Sequence, residues 1–366
     1  MVKIMKKIYN FSAGPSMIPF EVVQTIKKEI PNWHSLGVSV MEISHRSKEF
    51  IEMSKTIKQD LRELLNIPKN YKILLCHGGA RAQFSAVPGN LLSKENMTAD
   101  YINTGYWSLS AKKEAEKYCL PNKIDARIIN NNICSILPMK EWILSKNSKY
   151  LHYCPNETIE GIAIYEEPKF EKKIVVADFS SIILAYPINI NNYDLIYASA
   201  QKNVGIAGLT IVIIREELLN ITNKYIPSIL NYKTLYENES MFNTPSTFSW
   251  YVAGLVLKWL KKNGGIHTIN YINKKKSELL YKTIDNSDLY INHISNNNRS
   301  LMNISFQLLN KKLEKKFLKD AQKIGLYGLQ GHRIIGGIRA SIYNAMPIEG
   351  VEKLAKFMID FQENMY

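Results

Sequence analysis

Cysteine is scarce in this chain of 366 residues: Cys76, Cys119, Cys134 and Cys154 are the only four, and none sits in a C-x-x-C pair. That excludes a disulfide-stapled framework and leaves reduced thiols, as expected of a cytoplasmic protein. His152 and Cys154 form an H-x-C pair with no second pair to complete a metal site, so they read as strand residues and no metal is expected. No apolar run approaches the roughly 18 residues of a membrane helix. The longest, at 209–214, has the length of a strand, and no membrane association is expected. The basic start at 1–7 runs into Asn10-Phe11-Ser12-Ala13-Gly14-Pro15 rather than an apolar stretch, which argues against a secretion signal.

Acidic residues are also in deficit, 33 against 47 basic ones, for a net charge of +14. Nucleic-acid binding is one reading of that excess. The composition favours another. Only eight of the basic residues are Arg and the rest are Lys, spread over helix-like stretches such as 274–276 and 311–323, with no zinc-finger spacing and no aromatic RNA-binding strand. Solvated helix faces account for the charge, and no nucleic-acid partner is expected. The rarity of Arg gives weight to where it falls. Lysine substitutes for it where only charge is needed, but not where a planar fork grips carboxylate or phosphate. Arg46, Arg81, Arg333 and Arg339 lie in polar segments flanked by Gly or His, a pattern suited to an anionic substrate; surface ion pairs remain the alternative for each singly.

Apolar residues at 46% and charged ones at 22% are enough for a large core, which excludes disorder. Helical spacing marks 19–30, 48–65, a segment from Ala80, 106–118 and 247–261. Short apolar runs at 71–76, 99–103, 126–129, 149–153, 173–177, 195–198 and 209–214 read as strands, several of them apolar throughout. Such runs suit a mostly parallel sheet covered by helices on both faces. Asn263-Gly264-Gly265 stops the long helix. Beyond it lie helices at 266–284, 311–324 and 348–363 and strands at 302–307, 333–335 and 339–343, an α+β unit. The expected architecture is thus α/β, a large domain with a mostly parallel seven-stranded sheet between helices plus a smaller α+β domain.

Ligands of open α/β sheets bind at the carboxyl ends of the strands. Collected there are Gly78-Gly79-Ala80-Arg81 leading into a helix, Asp178 after KIVVA, and Gln201-Lys202 after LIYASA. A glycine-rich turn into a helix N-terminus suits an anion. A lysine desolvated among small residues becomes nucleophilic. Asp178 and Lys202, 24 residues apart on consecutive strand ends, fit a pyridoxal phosphate site, where lysine takes the aldehyde and aspartate pairs with the ring nitrogen. A structural ion pair fits the same spacing.

The segments NFSAGPSMIP, SVMEISHRSKEF, CHGGARAQF, HYCPNETIEGI, ADFSS, AQKNVGIAGLTIVI, MFNTPSTF and GHRIIGGIRASIYNAMP, in this order, resemble the phosphoserine aminotransferase family, a class V branch of the fold-type I pyridoxal phosphate enzymes. The resemblance implies a large cofactor-binding domain at 16–262 and a small domain made of 1–15 and 263–366. It implies that Lys202 is the Schiff-base lysine, that Asp178 pairs with the pyridine nitrogen, that Trp107 stacks on the ring and that Thr158 bonds the phenolic oxygen. Ala80, Arg81 and Gln201 would hold the cofactor phosphate, joined by Asn243 and Thr244 from the other subunit of a homodimer. Ala13, Arg46, Arg81, His332, Arg333 and Arg339 would bind substrate, with Arg339 on the α-carboxylate. The implied reaction is transamination between glutamate and 3-phosphohydroxypyruvate, giving O-phosphoserine and 2-oxoglutarate in serine biosynthesis, with a further role in the pyridoxine pathway. The chain departs from the family at Ala13, often Ser, and at Ala80, often Gly. A related class V desulfurase is the other enzymatic reading, disfavoured because none of the four cysteines lies on an evident mobile loop.

Overall fold

The computed structural model describes residues 7–93, 97–221, 225–333 and 335–364. A sheet of seven strands forms its centre: Tyr71–Cys76 (β1), Thr98–Asn103 (β2), Leu120–Asp125 (β3), Tyr150–Tyr153 (β4), Ile174–Asp178 (β5), Leu195–Ser199 (β6) and Thr210–Arg215 (β7). Their spatial order is β1-β7-β6-β5-β4-β2-β3. Only β7 is antiparallel to its neighbours; all other pairs are parallel. Helices among the described residues are Phe20–Glu29 (α1), Lys48–Leu65 (α2), Gly79–Leu91 (α3), Tyr106–Ala115 (α4), Tyr232–Glu237 (α5), Thr247–Lys262 (α6), Gly265–Asp285 (α7), Glu314–Lys323 (α8) and Ile348–Glu363 (α9).

The central strands are apolar on both sides because both sides are covered. Strand alternation sends Ile73 and Leu75 to one face, where Phe50, Ile57 and Leu61 of α2 and Leu257 of α6 meet them. It sends Leu74 to the other, among Phe84, Val87 and Leu91 of α3 and Ala111 and Ala115 of α4. Helix α2 starts where Ser47 accepts a hydrogen bond from the Phe50 amide and stops at Asn66, which is left-handed at φ 50°.

Strand β3 was not expected. Its residues LPNKID form a polar edge, half of them exposed and none buried, and include Pro121, so it lacks the apolar signature of a covered strand. The strand expected at 126–129 forms instead at Arg127–Asn130, in a hairpin with Ile133–Ile136 outside the central sheet. The strand expected at 333–335 is absent: Arg333 and Ile335 lie in a turn, and Ile334 falls outside the described residues. The Gly336 and Ile335 amides both bond back to the His332 carbonyl, and Gly336 and Gly337 have φ of 72° and 68°, values that end a strand rather than extend it. The strand begins only at Ile338.

The C-terminal residues build a second core. Tyr290–Ile291, Asn303–Leu308 and Ile338–Ser341 form an antiparallel sheet against α8 and α9. Tyr9–Asn10 pairs with Leu326–Tyr327, which places Tyr9 and Phe11 in this core. Helix α7 spans both cores: Ile266 and Ile269 pack in the first, Leu280 and Ile284 in the second.

Candidate active site

The carboxyl ends of β5 and β6 lie side by side, with Asp178 opposite Tyr197 in register. Asp178 closes β5, and Lys202 follows three residues after β6 ends at Ser199. A cavity of about 280 Å³ opens there, lined among others by Arg81, Trp107, Thr158, Asp178, Gln201 and Lys202. Ala80 is part of the same lining.

Lys202 Nζ donates to Thr158 Oγ1 at 2.6 Å. Burial lowers the Lys202 pKa to about 8, an effect opposed by the charge of Asp178 and reinforced by that of Arg339. Burial raises the Asp178 carboxyl, against the Ser180 amide, which donates to Asp178 Oδ1 at 2.9 Å, and against the nearby Lys202 charge. Both groups line this cavity, and burial shifts each toward its neutral form.

Helix α3 starts at the cavity. Gly78 and Gly79, at φ 86° and 67°, turn its first amides toward it, and a Cβ on Gly78 would lie 2.4 Å from that of Ala82. Ala80 has negative φ, so its methyl is accommodated. Its amide donates to Ser199 Oγ at 2.6 Å. The Arg81 guanidinium lies 5.3 Å from the centre of the Trp107 ring.

The position of Trp107 is set by two acids that sequence reading passed over. Glu157 accepts from the Trp107 and Ser108 amides, both at 2.9 Å, and Glu160 accepts from the Tyr106 amide at 2.8 Å. Carboxylates on the first amides of α4 suit its dipole. Glu157 is wholly buried, and burial together with the charge of Glu160 raises its pKa. Their signal was present in the motif Asn156-Glu157-Thr158-Ile159-Glu160, where attention went to Thr158. Ser16 was also missed. Its amide bonds the Gln201 carbonyl at 3.0 Å and its hydroxyl the Lys202 carbonyl at 2.6 Å.

Arg339 and His332 line an adjoining cavity of about 340 Å³ together with Arg127 and Glu160. Arg339 Nη1 reaches the Thr158 carbonyl at 3.4 Å, while its Nε is buried without a partner. Burial lowers the Arg339 pKa, opposed by Tyr343 and Glu160, and burial followed by the charges of Arg339 and Arg333 lowers that of His332. The His332 and Tyr106 rings lie 5.5 Å apart. Neither cavity is lined by Ala13, Arg46, Arg333, Asn243 or Thr244. The Ala13 carbonyl accepts from Tyr343 Oη at 2.8 Å, and the other four are exposed in the single chain. Among the described residues no group of three or more His, Cys, Asp or Glu is arranged to hold a metal ion, and no helix is long and apolar enough to cross a membrane.

A partly buried lysine and a buried aspartate at adjacent strand ends of a mostly parallel sheet, beside a helix N-terminus and an indole, define an α/β enzyme built around an anionic, ring-bearing ligand. The chain matches aminotransferase class-V over residues 8–354, and it belongs to that family. It is 60% identical over 359 residues, 98% of this chain and 99% of the relative, to the phosphoserine aminotransferase of Buchnera aphidicola subsp. Acyrthosiphon pisum (strain 5A). Among solved structures, the phosphoserine aminotransferase from Bacillus circulans subsp. alkalophilus superimposes with a TM-score of 0.94 at 38% identity, covering 98% of this chain and 99% of that one. The PLP-bound phosphoserine aminotransferase from Trichomonas vaginalis gives 0.91 at 35% identity, covering 96% and 100%.

Proposed function

We propose that this chain is a phosphoserine aminotransferase. It uses pyridoxal phosphate to pass an amino group from glutamate to 3-phosphohydroxypyruvate, giving O-phosphoserine and 2-oxoglutarate. The observation that carries the reading is that Lys202 and Asp178 line one cavity, with Lys202 Nζ held on Thr158.

The residues present fit the cofactor. Trp107 Nε1 is buried without a partner beside the cavity, and Gly78 and Gly79 hold the positive φ that bends the chain into the helix beside it. In this reading Lys202 takes the cofactor aldehyde, Asp178 the ring nitrogen, Thr158 the phenolic oxygen and Trp107 the ring face. Ala80, Arg81 and Gln201 take the phosphate. When bound, the cofactor supplies an electron-withdrawing ring that acidifies the α-hydrogen of an attached amino acid. Asp178, ionised, keeps a proton on the ring nitrogen. Lys202 Nζ, freed from the cofactor, would serve as the base for the substrate α-proton and as the acid that gives it back. Arg339 orients the α-carboxylate through its planar fork. Arg46, Arg81, His332 and Arg333 would surround the phosphate or distal carboxylate, the cationic surface that both substrates require, with Ala13 also contacting substrate.

The reading includes a homodimer. Asn243 and Thr244 are exposed in the single chain, and Phe242 beside them is 45% exposed, as are Met41 at 54% and Val38 at 40% in the segment leading to Arg46. A second copy seated on these segments brings Asn243 and Thr244 to the neighbouring phosphate and Arg46 to the neighbouring substrate. The division into a large domain at 16–262 and a small domain of 1–15 and 263–366 is part of the same reading, supported by the pairing of Tyr9–Asn10 with Leu326–Tyr327. So are a cytoplasmic location, supported by four buried free thiols, and a role in the pyridoxine pathway, which asks for the same phosphate-directed cations.

The test is an absorption spectrum of the purified protein. Visible cofactor absorbance that converts to the amine form on adding O-phosphoserine, and is restored by 2-oxoglutarate, is the expected result. A colourless protein that takes up no pyridoxal phosphate overturns the reading. So does a coloured one that responds to neither glutamate nor O-phosphoserine.

A further inference from the structure

Two residues before Thr158 stands Asn156, which lines the cavity beside Thr158, Asp178 and Lys202 and to which the reaction above gives no part. It opens a short hairpin, Asn156–Glu157 paired with Ile162–Ala163, that carries Thr158 in its turn. The hairpin lies against the strand Asn303–Leu308 of the second core. Ser305 Oγ donates to the Ile159 carbonyl at 3.0 Å, the Ser300 amide donates to the Gly161 carbonyl at 3.0 Å, and a Cβ on Gly161 would lie 2.7 Å from the Asn303 carbonyl oxygen. That strand pairs with Ile338–Ser341, with Ser305 opposite Arg339 and Asn303 opposite Ser341. The hairpin thus joins the residue that holds Lys202 Nζ to the strands that present Arg339.

The joint is closed by side chains whose protons have one placement each. Ser300 Oγ accepts from the Met302 and Asn303 amides at 3.1 and 3.0 Å, so its own proton goes to Asn156 Oδ1, 2.6 Å away. That turns Asn156 Nδ2 to Ser181 Oγ at 2.8 Å and to Asn303 Oδ1 at 2.9 Å. Ser181 in turn gives its proton to the Asn156 carbonyl at 3.1 Å. On the far side Tyr343 Oη donates to the Ala13 carbonyl, so it accepts from Asn303 Nδ2, which leaves Asn303 Oδ1 facing Asn156. Exposure is 4% for Asn156 and 0% for Asn303, so bulk water does not replace a lost partner. An apolar residue at 156 could pack the hairpin, but matched amides fix where it sits along the strand.

We propose that Asn156 is a positioning residue for the transamination: through Asn303 it sets the Thr158-held amine of Lys202 against the guanidinium of Arg339, and with them the place of the substrate α-carbon. The inference rests on the reading of this cavity as a pyridoxal phosphate site. Without the amide link the hairpin can shift on the strand, and an α-carbon held by Arg339 no longer meets the amine squarely.

The experiment compares wild type, Asn156→Ala, Asn303→Ala and the double variant as holoenzymes saturated with pyridoxal phosphate. Conversion of bound cofactor to the amine form is followed by absorbance in single turnovers with glutamate and with α-deuterated glutamate, per mole of bound cofactor. The Kd for pyridoxal phosphate is measured by equilibrium dialysis. Each single variant is expected to slow the conversion by about 10–100-fold and to change the Kd by a smaller factor. The deuterium effect should be at least as large as that of wild type, because the slowed step is the proton transfer. The double variant should be no slower than the slower single one, since both changes remove the same link. If Asn156→Ala does not fold, Asn303→Ala, whose side chain is outside the cavity lining, decides through its rate and deuterium effect. A wild-type rate in Asn303→Ala, effects that add in the double variant, a diminished deuterium effect, or a loss confined to cofactor binding or Tm overturns the inference and leaves the site reading standing. A wild-type protein that does not bind pyridoxal phosphate overturns both.

Discussion

Replacing Thr158 with valine removes one hydroxyl and keeps the branched shape of the side chain. The hydroxyl oxygen accepts from Lys202 Nζ at 2.6 Å, and burial lowers the pKa of the partly buried Lys202 to about 8. A hydrogen bond from a charged donor is worth about 1.5–3 kcal/mol. Valine gives the ammonium nothing in exchange and leaves no orphaned polar atom of its own. At about 1.4 kcal/mol per pKa unit, the Lys202 pKa is expected to fall by about 1–2 units, to roughly 6–7. The amine is then neutral over most of the working range and is a better nucleophile but a poorer acid. Competitive acetylation of the cofactor-free chain from roughly pH 5 to pH 10, with the Lys202 peptide quantified by mass spectrometry against surface lysines, reads the midpoint directly. Thr158→Ser, which keeps the acceptor, should titrate like wild type. A midpoint in Thr158→Val equal to or above that of wild type would refute the claim that this hydroxyl supports the charged amine.

Arg339→Lys keeps a positive charge and loses the planar fork, so kcat/KM for glutamate and for O-phosphoserine should fall together by about 10–100-fold; equal values in wild type and variant would remove Arg339 from the carboxylate site. Lys276→Met tests a buried amine elsewhere: Lys276 Nζ donates to the carbonyls of Ile342 at 3.0 Å, Tyr343 at 2.8 Å and Met346 at 3.0 Å. Burial lowers its pKa from 10.5 to about 7, so between these values the unfolded chain binds more protons than the folded one and the wild type gains stability as pH rises. The stability lost in Lys276→Met should therefore grow with pH across that window, by at most about 1.4 kcal/mol per unit, in denaturant titrations; a loss independent of pH would contradict the shift.

The parts legible in the sequence are those where one residue type answers to one physical demand. KIVVA and LIYA read as covered strands because both faces must be apolar, and their ends pointed to Asp178 and Lys202. Helix α2 was legible to the residue because an amphipathic run lies between a serine cap and an asparagine stop. The edge strand Leu120–Asp125 was not, because half of its environment is water and backbone pairing alone holds it. Arg333 was misplaced for a related reason. Its apolar neighbours suggest a strand, while the decisive signal was the following glycine pair and its positive φ. Glu157 and Glu160 were missed because their role depends on a helix more than 40 positions earlier in the chain, a contact that no local pattern encodes. Exposed Asn243 and Thr244 gained their expected roles only from the family resemblance, since a single chain leaves them facing water.

The catalytic geometry depends on how firmly two distant segments are fixed to the Lys202 loop, and that fixing is polar. Arg339 lies on the strand Ile338–Ser341, and the residues just after it carry the attachments. The Asn344 amide bonds Asn203 Oδ1 at 3.0 Å, one residue from Lys202, and Asn344 Nδ2 bonds the Leu184 carbonyl at 2.9 Å. Tyr343 Oη accepts from Asn303 Nδ2 at 3.0 Å and donates to the Ala13 carbonyl, whose segment continues to Ser16 and so to the Lys202 carbonyl. Lys276 holds the same stretch from behind through three carbonyls. Apolar packing alone tolerates sliding, because one methyl contact replaces another at small cost, whereas a buried hydrogen bond displaced by an ångström leaves two unsatisfied groups. In the proposed reading, a carboxylate gripped by Arg339 would have to present its α-carbon to Lys202 within a fraction of an ångström. A lattice of buried amide, hydroxyl and ammonium donors meets that tolerance, and it explains why this face of the protein spends so many polar side chains where hydrophobic ones would have sufficed to fold it.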